Sequence, residues 1–138
     1  MTIKVGINGF GRSLAIVHFD WIPLSRNVVE STEALISSFN PSWSLGGGTG
    51  LHPRWLRDAS EAGLVDLETF SHDVVVPFTH EGWRGRIRAS AGVGASLPAA
   101  KVREFDDALA QLLTSCFPEE PMLIPHRLFA VTARAPGG

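Results

Sequence analysis

His18 and Asp20 stand two residues apart at the end of an apolar run, Leu14-Ala-Ile-Val-His-Phe-Asp20, and Trp21 follows at once. In open parallel sheets, ligands collect beyond the carboxyl ends of the strands. An imidazole or a carboxylate at that place can take a proton from an oxygen or a nitrogen. His18 and Asp20 are therefore candidate catalytic residues, and Trp21 a candidate wall of the substrate pocket. The competing reading is that strand alternation leaves one of the two acid–base groups at the strand edge, satisfied by a backbone partner. A second cluster is Trp83, Arg84 and Arg88. Two arginines four apart share one face of a helix, and their planar forks suit a carboxylate or phosphate on a substrate. A solvated basic face, paired with Glu81, is the plainer alternative, and Arg86 points elsewhere on that helix.

Other chemistry-bearing residues carry less. Counted from Gly9, a dinucleotide fingerprint needs glycine at the first, third and sixth positions. Gly9 and Gly11 comply, but Leu14 takes the sixth place, and an apolar strand follows where the phosphate-binding helix should start. The run Gly46-Gly-Gly-Thr-Gly50 lacks the lysine and hydroxyl ending of a phosphate loop and reads as a connector. The histidines at 18, 52, 72, 80 and 126 are not spaced three or four apart with a second ligand, so the expected metal set is none. His126, behind Pro125, reads as structural, and Cys116 as a small core residue on a helical stripe.

These groups must be positioned by a chain of 138 residues, long enough for one domain with a real core. Its net charge of −2 argues against binding driven by phosphate neutralisation. A single cysteine rules out an internal disulfide framework and suits a reducing cytoplasm, the expected location. No apolar run nears the ~20 residues of a membrane span. The amino terminus lacks the blocks of a signal peptide.

Residues 1–12 read as a short strand (Ile3, Val5, Ile7) and a glycine turn, and 14–20 as a second strand. Gly9 to Ser13 could close these two as a hairpin. Asn27 is placed to cap a helix, with Glu30 completing a box-like pair. Val28, Val29, Leu35, Ile36 and Phe39 share the face of that helix, which Asn40-Pro41 stops. A short helix runs from Pro53 to Gly63. Val65–Phe70 and Asp73–Phe78 follow, as two strands or one long bent strand. Thr79 caps a helix with Trp83 and Ile87, and Ala91–Ala95 breaks it. A helix from Pro98 carries Val102, Phe105, Leu109, Leu112, Leu113 and Cys116. A strand from Arg127 to Arg134 closes the chain. Strands alternating with helices predict an α/β domain with a mostly parallel sheet, flanking helices and a helical insertion before the last strand. That insertion leaves room for the last strand to run antiparallel.

Two resemblances bear on function. MTIKVGINGFGR (1–12) closely resembles the amino terminus of glyceraldehyde-3-phosphate dehydrogenase, where it opens an NAD-binding domain. From Ser13 onward the chain is similar to the carboxy-terminal half of class I S-adenosylmethionine-dependent methyltransferases. The stretches that carry this are LAIVHFDWIPL (14–24), NVVESTEALI (27–36), GGTGLHPRWLRDASEAGL (47–64), WRGRIRASAGVGASL (83–97), FDDALAQLL and IPHRLFAVTAR (124–134). The resemblance implies a partial doubly wound, Rossmann-like sheet, with a leader (1–12) joined to a methyltransferase-like domain (13–138). It also implies methyl transfer to a small molecule with S-adenosylmethionine as cofactor. The glycine loop and ribose-holding acid that bind the donor in that family have no counterpart here, so the cofactor-binding residues are unknown and activity is expected to be impaired. The alternatives are an NAD-binding fragment using Gly6, Gly9 and Gly11, and a non-catalytic module. The expected partners are a small-molecule substrate and a second copy of the chain paired through an exposed sheet edge. Neither nucleic acid nor a membrane is expected.

Overall fold

The computed structural model describes the backbone of Thr2–Val5 and residues 13–137. The elements run β1 (Thr2–Val5), β2 (Ser13–Trp21), α1 (Val28–Phe39), α2 (Arg54–Glu61), β3 (Val65–Phe78), α3 (His80–Arg88), α4 (Ala99–Cys116) and β4 (Met122–Arg134). They divide into two compact units: residues 1–21, 49–74 and 126–138, and residues 22–48 and 75–125. The Gly6, Gly9 and Gly11 turn and the Arg12 side of the joint at 12–13 lie outside the described residues.

The first unit is built on the sheet, whose strand order is β1-β2-β4-β3. β1 lies antiparallel to β2, with Thr2 opposite His18 and Val5 opposite Ala15. β4 lies antiparallel to β2 along the whole of β2, from Ser13 opposite Arg134 to Trp21 opposite His126. β3 neighbours β4, and its ion pairs run in opposite chain directions, Asp66 with Arg134 and Asp73 with Arg127.

The expected mostly parallel, Rossmann-like sheet is therefore corrected to an antiparallel one. Alternating strands and helices show that helices link the strands, but not which strands become neighbours. Here the crossover through α1 and α2 joins β2 to β3, and β4 returns between them. Phe129, Val131 and Ala133 on one face of β4 are buried, and so is Ala130 on the other. The last strand, expected from Arg127, already begins at Met122.

The second unit is helical. Asn27 caps α1 by accepting the Glu30 N–H at 2.9 Å. Glu30 does not reach back to the cap residue; its carboxylate accepts the N–H of Arg26, at 2.6 Å, where the chain turns with φ +65°. Thr79 caps α3 through the Gly82 N–H at 3.0 Å. Trp83, Phe105, Ile36, Ile87, Leu109, Leu113 and Val29 are fully buried. Rings meet edge to face in the pairs Phe39–Phe105 and Phe78–Trp83, at 5.4 and 5.3 Å. Cys116, read as a core residue, is exposed. It is the last residue of α4, where the apolar stripe outruns its packing.

The small-residue stretch after α3 is a close approach. A Cβ on Gly94 would stand 2.0 Å from the Arg88 carbonyl oxygen, a backbone atom that cannot swing aside. We expect Gly94→Ala to destabilise the chain by about 1–3 kcal/mol, read as a lower urea midpoint at unchanged slope. Gly48→Ala, whose added Cβ would meet nothing within 4 Å, should leave the midpoint nearly unmoved.

Candidate functional site

β2 supplies the first two side chains of the site. Residues two apart on a strand face the same way. The register with β4 sets Phe129 opposite His18 and Arg127 opposite Asp20. His18 and Asp20 thus share one side of the sheet, and neither is left to a lone edge position.

A third side chain comes from elsewhere in the chain. His52 stands in the turn that opens α2, where the Trp55 N–H donates to the His52 carbonyl at 3.1 Å. Pro53 occupies the cap with φ −63° and has no N–H to satisfy. The turn lays the Trp55 indole flat on the His52 imidazole, centroids 4.2 Å apart and planes 8° apart. Arg127 holds the segment ahead of this turn. Its Nη1 donates to the Thr49 carbonyl at 2.8 Å, while Nε and Nη2 grip the Asp73 carboxylate at 2.6 and 2.8 Å. The hydrogen bond from Arg127 holds the Asp73 carboxyl below its ordinary value and raises the arginine in turn. Although Arg127 lies opposite Asp20 in register, its fork is committed to Asp73 and Thr49.

Asp20 takes imidazoles as its partners instead. His18 Nδ1 and His52 Nε2 each lie 2.8 Å from the same oxygen, Asp20 Oδ2. The His52 contact is an aligned hydrogen bond. His18 Nδ1 is a buried atom at the same distance, yet it makes no aligned hydrogen bond. Rings enclose the group: His18 meets His52 edge-on at 4.7 Å and Trp55 at 5.9 Å, and Phe129 lies 5.9 and 5.8 Å from His52 and Trp55. The site keeps access to solvent, with the side chains of His18, Asp20 and His52 exposed by 19, 28 and 29%. A carboxylate that accepts one ring N–H fixes the tautomer and leaves the other nitrogen as a lone pair. With Nε2 of His52 donating to Asp20, Nδ1 is the basic atom.

The remaining sequence candidates fall in different surroundings. Trp21 ends β2 in the first unit, half-buried and opposite His126 in register. His126 is itself buried and stacks on Phe19 at 4.8 Å, a packing role. Trp83, in the second unit, is fully buried and donates its indole N–H to Thr32 Oγ1 at 3.1 Å. Arg84 and Arg88 do share a helical face, and both grip Asp106, from Arg84 Nε at 3.0 Å and from Arg88 Nη1 at 2.8 Å. Glu81 takes a further bond from each. The carboxylate that these arginines are suited to hold is thus supplied by α4. The glycine run at 46–50 is tied back at Gly47, whose N–H donates to buried Glu33 at 2.8 Å.

Trp55 and Phe129 are not among the residues singled out from the sequence, and His52 is weighed there only among histidines without ligand spacing. No local spacing could have found His52, which is 32 residues from Asp20. Nor do the described residues fit the methyl donor. Among them, no strand passes through a glycine turn into a helix, the arrangement that cradles a nucleotide.

The arginine network makes an acid-sensitive contribution to stability. Burial acts to raise the Asp106 carboxyl, but the bonds and charges of Arg84 and Arg88 outweigh it and hold the group below its ordinary 3.8. A carboxyl depressed in the folded state stabilises it above the unfolded value and loses that contribution as pH falls through the folded one. We expect Asp106→Asn to cost about 1–2 kcal/mol at pH 7, discounted for the partial exposure of the arginines. The gap from the parent in thermal melts should shrink as the pH falls below 3.8.

No protein-family model matches the chain, and no curated protein matches it in sequence.

Proposed function

We propose that the chain handles a small molecule bearing a labile proton on oxygen or nitrogen, and that the His18–Asp20–His52 group takes that proton. The observation that carries this reading is the convergence of two imidazoles on one carboxylate oxygen at 2.8 Å, beside an aromatic wall with solvent access. Methyl transfer to such an acceptor, the activity implied by resemblance for residues 13–138, needs a group of this kind to remove the proton that methylation displaces. In this reading the group serves the acceptor side of that reaction. S-adenosylmethionine as the donor rests on resemblance alone, and the described residues offer it no cradle.

Trp55 stacks on His52, so an acceptor that docks there should alter its emission. We expect a panel of small phenols, catechols and aromatic amines to contain members that quench the tryptophan fluorescence of the parent chain. The quenching should vanish in Trp55→Phe, and Asp20→Asn should weaken binding at least tenfold. A panel without response, or a response indifferent to Asp20→Asn, would overturn the reading. S-adenosylhomocysteine and NAD, run beside it in thermal-shift assays, report separately on donor binding; a saturating ligand would add about 2.7 kcal/mol at a hundred times its dissociation constant.

A specific observation also favours self-association. β3 closes the strand order at one end of the sheet, and Phe70 and Val65 on it are 56 and 40% exposed. A second copy pairing through this strand would cover them. Sedimentation should show a dimer that Phe70→Lys disperses; a monomer at all concentrations would rule this out.

A further inference from the structure

We propose that His18, Asp20 and His52 form a binding site for a divalent transition-metal ion of the zinc type. This goes beyond proton transfer and can fail without it, because metal binding is read with no acceptor present. The three donors are two imidazole nitrogens and one carboxylate oxygen, and all lie within 4.8 Å of one another. That donor set suits zinc, cobalt, nickel and ferrous iron, whereas calcium and magnesium prefer all-oxygen shells. Three protein ligands and one free position is the pattern of sites that keep a place for water or substrate.

Three features of the surroundings support a metal site over a simple hydrogen-bonded cluster. First, His18 Nδ1 is buried and 2.8 Å from Asp20 Oδ2, yet makes no aligned hydrogen bond. Buried polar atoms are ordinarily satisfied, and a lone pair on this nitrogen directed at an ion would satisfy it. Second, the cation opposite Asp20 in register, Arg127, is neutralised by Asp73 and held at Thr49, so its guanidinium does not compete for the carboxylate. Third, the rings are already oriented. His18 and Asp20 project from one strand face, and Trp55 fixes the plane of His52. Tetrahedral zinc with bonds near 2.0–2.1 Å sets its ligand atoms roughly 3.3 Å apart. The 2.8 Å separations would therefore need to open by about half an ångström, within the reach of small side-chain rotations. The ion would take the place of the proton now shared between His52 and Asp20.

The test is calorimetry of the full chain with zinc chloride, paired with imidazole proton resonances followed during the same titration. We expect one ion per chain, with the His18 and His52 ring signals shifting and those of His72 and His80 unmoved. His18→Ala, Asp20→Asn and His52→Ala should each weaken binding at least tenfold, and His72→Gln should not. Circular dichroism and melting without metal establish that each variant is folded. His52→Ala and His52→Gln, in the exposed turn, guard against misfolding of the strand variants. Absence of one-to-one binding, or binding that survives the His52 substitutions, would overturn the site. So would zinc shifts on His72 or His80 in place of His18 and His52.

Discussion

The register of β2 against β4 governs the rest of the first unit. One residue of slip would carry every side chain of β2 to the opposite face. His18 and Asp20 would pass together to the far face of the sheet, away from His52, Trp55 and Phe129. The register is held by packing, since Phe129, Val131 and Ala133 on one face of β4 and Ala130 on the other are all buried. The polar group of the site is thus positioned by apolar burial one strand away.

The second unit solves a different problem with the same economy of parts. Trp83 combines a large apolar surface with a single donor, and Thr32 on α1 accepts it inside the core. Thr32 in turn donates to the Val28 carbonyl at 2.7 Å, so both polar groups are satisfied without water. On the outer side of α3, Asp106 collects Arg84 and Arg88 and joins α4 to α3 through charge. One helix therefore contributes a buried ring to the core and a basic face to its neighbour.

Much of this was legible locally. Asn27 and Thr79 cap their helices because the donor they accept is three residues on, and the stripe Phe105–Leu109–Leu113 is buried because helical spacing puts those residues in line. His18 and Asp20 were legible as a pair with acid–base character. What was hidden depends on distant partners. Strand order is decided by which surfaces cover one another, and the alternation of element types is silent about it. The meeting of His52 with Asp20 follows from that strand order and from the hold of Arg127 on Thr49. Arg84 and Arg88 showed their shared face but not that Asp106 would fill it, and Cys116 continued the stripe without reaching the core.

The hold of Arg127 on the segment before His52 has a consequence for how this site can vary. The arginine recognises the Thr49 backbone carbonyl, an atom every amino acid possesses. Side chains at the loop position are therefore free to change without releasing the turn, whereas the arginine and its acidic counterpart on β3 are not interchangeable with neutral residues. Substitutions should accumulate in the loop and be scarce at Arg127 and Asp73. The architecture thereby separates residues that hold the site in place from residues open to neutral drift.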